Sequence, residues 1–335
     1  MKNGTIKDIA AKSGVSISTV SRVINNNYPV SPEVRSRVLE VMEMVNYKPN
    51  SIARSLRNQK SQMIGLIVAD LANLFFMEMA KGIEQAVSSH GYNIIIASSD
   101  GDVQKERRIL AALLKERPAA LIITPFDNNG SQLQEFVDVG IPVVMADRYI
   151  RGFECDVVCA VNFRMAYELT NYLLSKGHRD IAIANVLLSI SSGIERYEGF
   201  LKALSEKGLK PVSKWVSSGS FNQQESYKWV KETFSAPSPP TALICANNIM
   251  TIGALHAFKD LGLKIPSDVS VVSMGEIPLH SLIDPRITYS QQDGFKMGEY
   301  AGQMAIERIE KGMNRNYMKK EISSPIMEYN SVRQI

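Results

Sequence analysis

Cysteine is scarce in this chain: Cys155, Cys159 and Cys245 are the only three in 335 residues, and none falls in a Cys-x-x-Cys or zinc-spaced Cys/His cluster. An odd, sparse set excludes a disulfide-built fold and makes a reducing cytoplasm the expected compartment. The four histidines, His90, His178, His256 and His280, stand singly beside no convincing nucleophile or metal set, so neither catalysis nor a metal centre is expected. No Gly-x-Gly-x-x-Gly follows a strand-like run and no Gly-x4-Gly-Lys-Ser/Thr occurs, which removes the motifs of a dinucleotide-binding dehydrogenase and of a phosphate-cradling kinase. No run approaches the ~18 to 20 apolar residues of a membrane span. The opening residues, MKNGTIKDIA, lack the apolar core of a secretory signal. A soluble, unexported protein that is not an enzyme and takes no cofactor is the expectation.

What is present divides unevenly along the chain. With 45% hydrophobic and 21% charged residues, the chain can form two or three globular domains of ~100 to 200 residues each. Residues 1 to 60 carry 10 Lys+Arg against 4 Asp+Glu, a net +6; the remaining 28 against 30 give −2. All the excess positive charge therefore lies in the first sixth, as for a module that meets a polyanion joined to a near-neutral body.

Inside that basic segment, Thr5 and Asp8 have capping-box spacing, and Ile6, Ile9 and Ala10 recur at helical spacing to Ser13. Gly14 stops that helix. A second begins with Ser16 as N-cap, and Val20, Val23 and Ile24 form its apolar stripe. Ile17, Ser18, Ser21, Arg22 and Asn25 are left on an outer face with no acid. Ser31-Pro32-Glu33 signals a third helix, with Val34, Val38, Val41, Met42 and Val45 as its apolar set. Three such helices share one small core in the arrangement where the second enters a DNA major groove. The following Tyr47-Lys48-Pro49-Asn50-Ser51-Ile52-Ala53-Arg54-Ser55-Leu56-Arg57 has room for only about two helical turns, too short to stand alone in water. Leu56 between Arg54 and Arg57 suits an apolar wedge between base steps. A linker with one leucine docked on the next domain is the alternative.

TIKDIAAKSGVSISTVSRVINN followed by NYKPNSIARSL resembles the DNA-binding headpiece and hinge of the lac repressor (LacI/GalR) family, and the similarity continues to about residue 330. The resemblance implies base readout by Ile17, Ser18 and Arg22, with Arg22 bidentate on a guanine edge. It places phosphates on Thr5, Ser16, Thr19, Ser21, Asn25 and Ser31. Asn50 would cap the hinge helix, Arg54 would hold the backbone, and Ala53 and Leu56 of paired hinge helices would open the minor groove. The implied domains are a helix-turn-helix headpiece at 1–46, a hinge helix and linker at 47–60, and a core at 61–335.

From Met63 onward, short β-branched runs alternate with helical patterns: MIGLIVA, NIIIAS, ALIIT and IPVVMA. These are βαβ units and predict a parallel sheet covered on both faces. After about Cys155 the series starts again with VVCAV, DIAIAN, WVSSG, TALICAN and VSVVSM, so a second sheet of the same kind is expected. The fold class is thus a helix-turn-helix headpiece plus an α/β core of two doubly wound parallel-sheet lobes, like periplasmic binding proteins. The first lobe takes about 61–160 plus 292–322, and the second about 161–291 plus 323–335.

Ligands of such sheets bind beyond the carboxyl ends of the strands. Polar residues at those ends are Asp70 and Asn73 with Phe75 and Phe76, then Asp147, Arg148, Asn247 and Gln292; loops and helix starts add Ser192, Arg196 and Phe221. Aromatics that cover C–H faces and amides, carboxylates and guanidiniums that satisfy hydroxyls suit a sugar. Each has a structural alternative: Asn248 as a helix cap, Asp147 with Arg148 as an internal ion pair, Phe75 as core. GLIVADLANLFF, IPVVMADR, RYEGF, PTALICANN, DVSVVS and DPRITYSQQD extend the family resemblance through this half, which implies a sensor whose lobes close on an effector.

Four departures from the family pattern stand out. Leu74 replaces a usual proline, Val161 a usual acid, Asn248 a common Asp, and Met274-Gly275-Glu276 the usual aromatic–Asp pair. Glu276 then becomes the candidate for the missing pocket carboxylate. Arg148 and Arg196 leave room for a sugar acid or sugar phosphate. The expected partners are a near-palindromic double-stranded operator, a small sugar-like effector and a second copy of the chain, since no leucine heptad follows residue 330 to build a tetramer. A soluble sugar-binding protein of a transport system is the alternative, and the basic headpiece and missing signal oppose it.

Overall fold

A computed structural model describes residues 5–25, 28–45, 47, 61–217, 219 and 222–335, the side chain of Asn25 excepted. The chain separates into two compact units, Met1–Lys60 and Ser61–Ile335. The expected hinge helix lies outside the described residues.

In the first unit, α1 (Ile6–Ser13), α2 (Ile17–Asn25) and α3 (Pro32–Met44) enclose Ile9, Ala10, Val20, Val23, Val38 and Val41. Local chemistry sets each boundary. The Thr5 hydroxyl accepts from Asp8 N at 3.3 Å and the Asp8 carboxylate accepts from Thr5 N at 2.7 Å, a reciprocal cap that holds the Asp8 carboxyl below its usual range. Gly14 ends α1 at φ 64°, a left-handed conformation that glycine adopts without a Cβ clash. Ser31 accepts from Val34 N at 3.4 Å, and Pro32 opens α3 where an N–H would have no intrahelical partner.

The second unit is built on two six-stranded sheets. The first has the order β11-β5-β4-β3-β1-β2, with β1 Met63–Val68, β2 Asn93–Ser98, β3 Ala120–Ile123, β4 Val143–Ala146, β5 Asp156–Ala160 and β11 Lys319–Ile322. The second repeats the pattern as β12-β10-β9-β8-β6-β7: β6 Ile181–Ala184, β7 Val216–Ser217, β8 Ala242–Cys245, β9 Ser270–Met274, β10 Thr288–Ser290 and β12 Ile326–Met327. Every pairing is parallel except β10 with β12.

Successive side chains of a strand point to opposite faces. Ile64, Leu66 and Val68 of β1 accordingly join one apolar cluster, while Ile67 joins the other. Helices α4 (Leu74–Ser88) and α11 (Gly294–Lys311) cover the first face of this lobe, and α5 (Val103–Glu116) and α6 (Ser131–Asp138) the second. In the second lobe, α7 (Asn162–Ser175), α8 (Ser191–Glu206), α9 (Gln223–Phe234) and α10 (Asn248–Leu261) enclose a core around Leu169, Phe200, Phe258 and Val271.

The VVCAV run does not open the second sheet. It forms β5, paired in register with β4 through Val144↔Asp156 and with β11 through Lys319↔Val157, so it lies inside the first sheet and the chain crosses over after Ala160. The buried Asp156–Arg308 pair favours that placement. Arg308 Nε and Nη2 donate to Asp156 at 2.6 and 2.9 Å, and its other N–H groups reach the carbonyls of Met313, Arg315 and Asn316 at 2.9 to 3.1 Å. Asp156 also accepts from Met318 N at 2.8 Å. One ion pair thus ties the end of α11 to β5 and to the residue that leads into β11. Two backbones meet directly at the α4/α11 crossing: a Cβ on Gly298 would stand 2.0 Å from Met79 O, and one on Gly82 2.1 Å from Phe295 O.

Removing one member of a buried ion pair strands the other. Asp156→Ala is therefore expected to lower the stability of the core by about 3 to 5 kcal/mol, read as a reduced urea midpoint at unchanged slope. An unchanged midpoint would show that the pair is dispensable.

Candidate functional site

The first unit presents one outward face suited to a polyanion. On α2, Ile17 is 46% exposed, Ser18 and Arg22 are exposed, and Ser21 is half-buried. The Arg22 guanidinium sits 5.5 Å from the Tyr28 ring centre, which orients it by a cation–π contact. At the start of the helix, Ser16 Oγ lies 2.7 Å from Ser18 Oγ and 2.9 Å from Thr19 Oγ1 and accepts from Thr19 N at 3.2 Å. Hydroxyls beside free helix N–H groups can take a phosphate. Ser31 occupies the same position on α3, and Thr5 on α1 already donates to Asp8. Asn25 closes α2. Asn50, Ala53, Arg54 and Leu56 lie outside the described residues.

In the second unit, ten of the expected residues line a single narrow cavity with about 50 Å³ of free volume: Asp70, Asn73, Phe75, Phe76, Asp147, Arg148, Ser192, Arg196, Asn247 and Gln292. Strand ends put them there. Asp70 and Asn73 follow β1, Asp147 and Arg148 follow β4, Ser192 follows β6, Asn247 follows β8 and Gln292 follows β10. Ala69, Val186, Asn248 and Ile249 complete the wall. Phe221 lies outside the described residues. Glu276 departs from its expected place: its side chain is 55% exposed, lines an adjoining cleft with Glu78 and Asp293, and stands 3.9 Å from the His280 ring. The backbone reason is Gly275, whose φ of 94° turns the chain at this point, with Gln292 Oε1 only 2.9 Å from where a Cβ would be.

The two lobes are held together across this cavity. Asn73 Nδ2 donates to Asn248 Oδ1 at 3.2 Å, and Asn248 Nδ2 donates back to Asn73 Oδ1 at 2.9 Å, with both residues buried. Asn73 also accepts from Phe75 N at 3.1 Å as the cap of α4, while Asn247 caps α10 through Met250 N at 2.6 Å. The amide at position 248 therefore does not serve as the helix cap; it spans the cleft. Tyr149 adds two further links, its N donating to Ser191 Oγ at 3.0 Å and its hydroxyl to Glu195 Oε1 at 2.5 Å.

Charge is concentrated behind these contacts. Asp147, Arg148 and Arg196 are 6%, 7% and 4% exposed. Asp147 holds φ 68°, a left-handed conformation costly for a non-glycine residue, and lies 3.4 Å from Arg148 Nε. Phe75 is partly buried and Phe76 fully so, hence Phe76 is both core and wall. Glu106, buried beneath, accepts from Phe126 N and Asp127 N at 2.8 and 3.0 Å, and burial pushes its carboxyl above the usual range. The thiols of Cys155, Cys159 and Cys245 are buried and pushed up to about 12, which leaves them inert as nucleophiles at neutral pH. Among the described residues, no group of three metal-binding side chains occurs and no helix is long and apolar enough to cross a membrane.

Sequence reading missed Tyr149, Glu195 and Asn162, which join in one chain. Asn162 Nδ2 donates to Glu195 at 3.1 Å and its Oδ1 accepts from Arg196 Nε at 2.9 Å. The only signal available was that each adjoins a strand end or a selected residue. Asn248→Leu, which removes the paired amides, is expected to weaken lobe closure by ~1 to 2 kcal/mol. Small-angle scattering should report an expanded core; a profile identical to that of the parent chain would show that other contacts hold the cleft.

Comparison with known proteins gives these sites a context. Residues 5–50 match the family described as bacterial regulatory proteins, lacI family, and residues 61–326 match the periplasmic binding proteins and sugar binding domain of LacI family. The HTH-type transcriptional repressor PurR of Pasteurella multocida is 31% identical over 306 residues, covering 91% of this chain and 92% of that protein. The HTH-type transcriptional regulator GalS of Salmonella typhimurium is 32% identical, covering 90% and 89%. In fold, the structure superposes on the lac repressor dimer bound to operator and the anti-inducer ONPF with a TM-score of 0.86 at 23% identity, covering 99% of this chain and all of that one. With both matched regions in their expected order and relatives of this identity along nine-tenths of its length, the chain belongs to the LacI family of bacterial DNA-binding regulatory proteins.

Proposed function

We propose that this protein is a transcriptional repressor of metabolic genes whose operator affinity is set by a small polyhydroxylated effector bound between the lobes of its core. The observation that carries the reading is the cavity itself: strand-end side chains of both lobes meet in it, on a chain that also bears an exposed, acid-free helix face. Any ligand that changes the separation of Asn73 and Asn248 changes the relation of the two lobes, so occupancy can bias two arrangements.

In this reading residues 1–46 read DNA, 47–60 transmit, and 61–335 sense. Arg22 pairs with a guanine edge, Ile17 and Ser18 contact neighbouring bases, and the hydroxyls of Ser16, Thr19 and Ser31 hold phosphates. The named relatives include repressors called PurR and a regulator called GalS, and the lac repressor structure is a dimer on its operator. A homodimer on a near-palindromic site is the corresponding arrangement here. The chain acts by binding, with no catalytic residue assigned. A transport-system binding protein has no use for the headpiece, and the PurR and GalS similarities extend along nine-tenths of the chain.

Operator fragments selected from genomic DNA by the purified chain provide the test. Arg22→Ala is expected to weaken binding to the selected site by ~1 to 3 kcal/mol while leaving salt-dependent affinity for random DNA nearly intact. Equal losses on both DNAs in gel shifts would reject base readout by Arg22. Failure of the parent chain to select any sequence would reject the regulator itself.

A further inference from the structure

Tyr28 is 68% exposed in the connection between α2 and α3, and it takes no part in the apolar cluster that Ile9, Val20, Val23, Val38 and Val41 build. The first unit does not need this ring in order to fold. Its position is nevertheless set from both sides in the chain. Pro29 disfavours a helical backbone at Tyr28, Val30 packs against the cluster, and Ser31 is tied to α3 by accepting from Val34 N at 3.4 Å. The ring so placed lies against α2, with the Arg22 guanidinium 5.5 Å from its centre, inside the range of a cation–π contact.

Arg22 is exposed, and the outer face it shares with Ile17, Ser18, Ser21 and Asn25 carries no acid. A long side chain free in water samples many rotamers, so fixing it against a base costs part of the affinity that the contact supplies. A carboxylate beside Arg22 would order it, but would also cancel its charge and engage the N–H donors that the O6 and N7 atoms of a guanine edge require. An aromatic ring has neither drawback. Its quadrupole attracts the cation, and it brings no net charge and no carboxylate oxygen.

We infer that Tyr28 is a positioning residue for sequence recognition: its ring holds Arg22 ready for a guanine, so selectivity at that base pair depends on an aromatic side chain that itself reads no base. This rests on the proposal that Arg22 meets a guanine edge. The ring is the working part and the hydroxyl is dispensable, which separates this role from that of a tyrosine bonded to a phosphate. Affinity for DNA of arbitrary sequence, which comes from phosphate contacts, is untouched by it.

Fluorescence anisotropy of the full chain on the selected operator tests this, with each guanine of one half-site replaced in turn by 7-deazaguanine, which lacks the N7 acceptor. One such replacement is expected to weaken binding by the parent chain about fivefold or more, and it marks the guanine that Arg22 meets. Tyr28→Ala should weaken binding to the unmodified operator about two- to fivefold, leave binding to random DNA unchanged, and shrink the penalty at the marked guanine. Tyr28→Phe should bind as the parent does. Added to Arg22→Ala, Tyr28→Ala should cause no further loss, because the side chain it positions is gone. A Tyr28→Phe variant as weak as Tyr28→Ala, equal losses on operator and random DNA, or losses that multiply with Arg22→Ala would overturn the inference. The same titrations separate the two levels. A marked guanine whose penalty is the same in Tyr28→Ala removes the role of Tyr28 and keeps base readout by Arg22. If no guanine responds in the parent chain, or the response survives Arg22→Ala, guanine readout by Arg22 fails and the role of Tyr28 fails with it.

Discussion

Parallel pairing is the constraint on which this core depends. A strand can return to the same direction only through a crossover, so in both sheets most strand ends are followed by a turn into a helix, as after β1, β2, β3, β5, β6, β7, β8 and β10. The arrangement gathers carbonyl ends, free helix N–H groups and loop side chains on one edge of each lobe. When two such lobes face one another, those edges form a cleft rich in hydrogen-bonding groups and lined with little ordinary core. Asn73, Asp147, Ser192, Asn247 and Gln292 owe their meeting to that geometry although they are scattered over 220 positions of the sequence.

Much of this was legible in the sequence because the signals were local. Short continuous β-branched runs marked the strands, the capping box and Gly14 marked α1, and Ser31-Pro32 marked α3; each depends on residues close together in the chain. Eight of the ten cavity residues could be selected for the same reason, since the end of a strand can be read without knowing where the strand lies; Ser192 and Arg196 came from a helix start.

Partnership between distant strands could not be read in this way. VVCAV has the composition of any buried strand, and its place in the first sheet depends on a register with β4 and β11 and on Arg308, 152 positions away. Glu276 misled for a related reason: its type suited the missing carboxylate, but the left-handed turn at Gly275 sends its side chain elsewhere. The Asn73–Asn248 amide pair spans 175 positions, and neither residue carries a local mark of the other. The charge pattern of residues 1 to 60 was visible from composition alone, whereas the cation–π seat of Arg22 on Tyr28 was not.

The backbone contact between α4 and α11 has a mechanical consequence. Side chains packed between two helices can change rotamer and absorb a small displacement, but Gly298 against Met79 O and Gly82 against Phe295 O offer no torsion that can yield. These two helices begin next to Asn73 and Gln292, so both take their origin at the cleft wall. At that crossing a shift of either helix cannot be taken up by side-chain rearrangement, so the two are bound to move together where they leave the cleft wall.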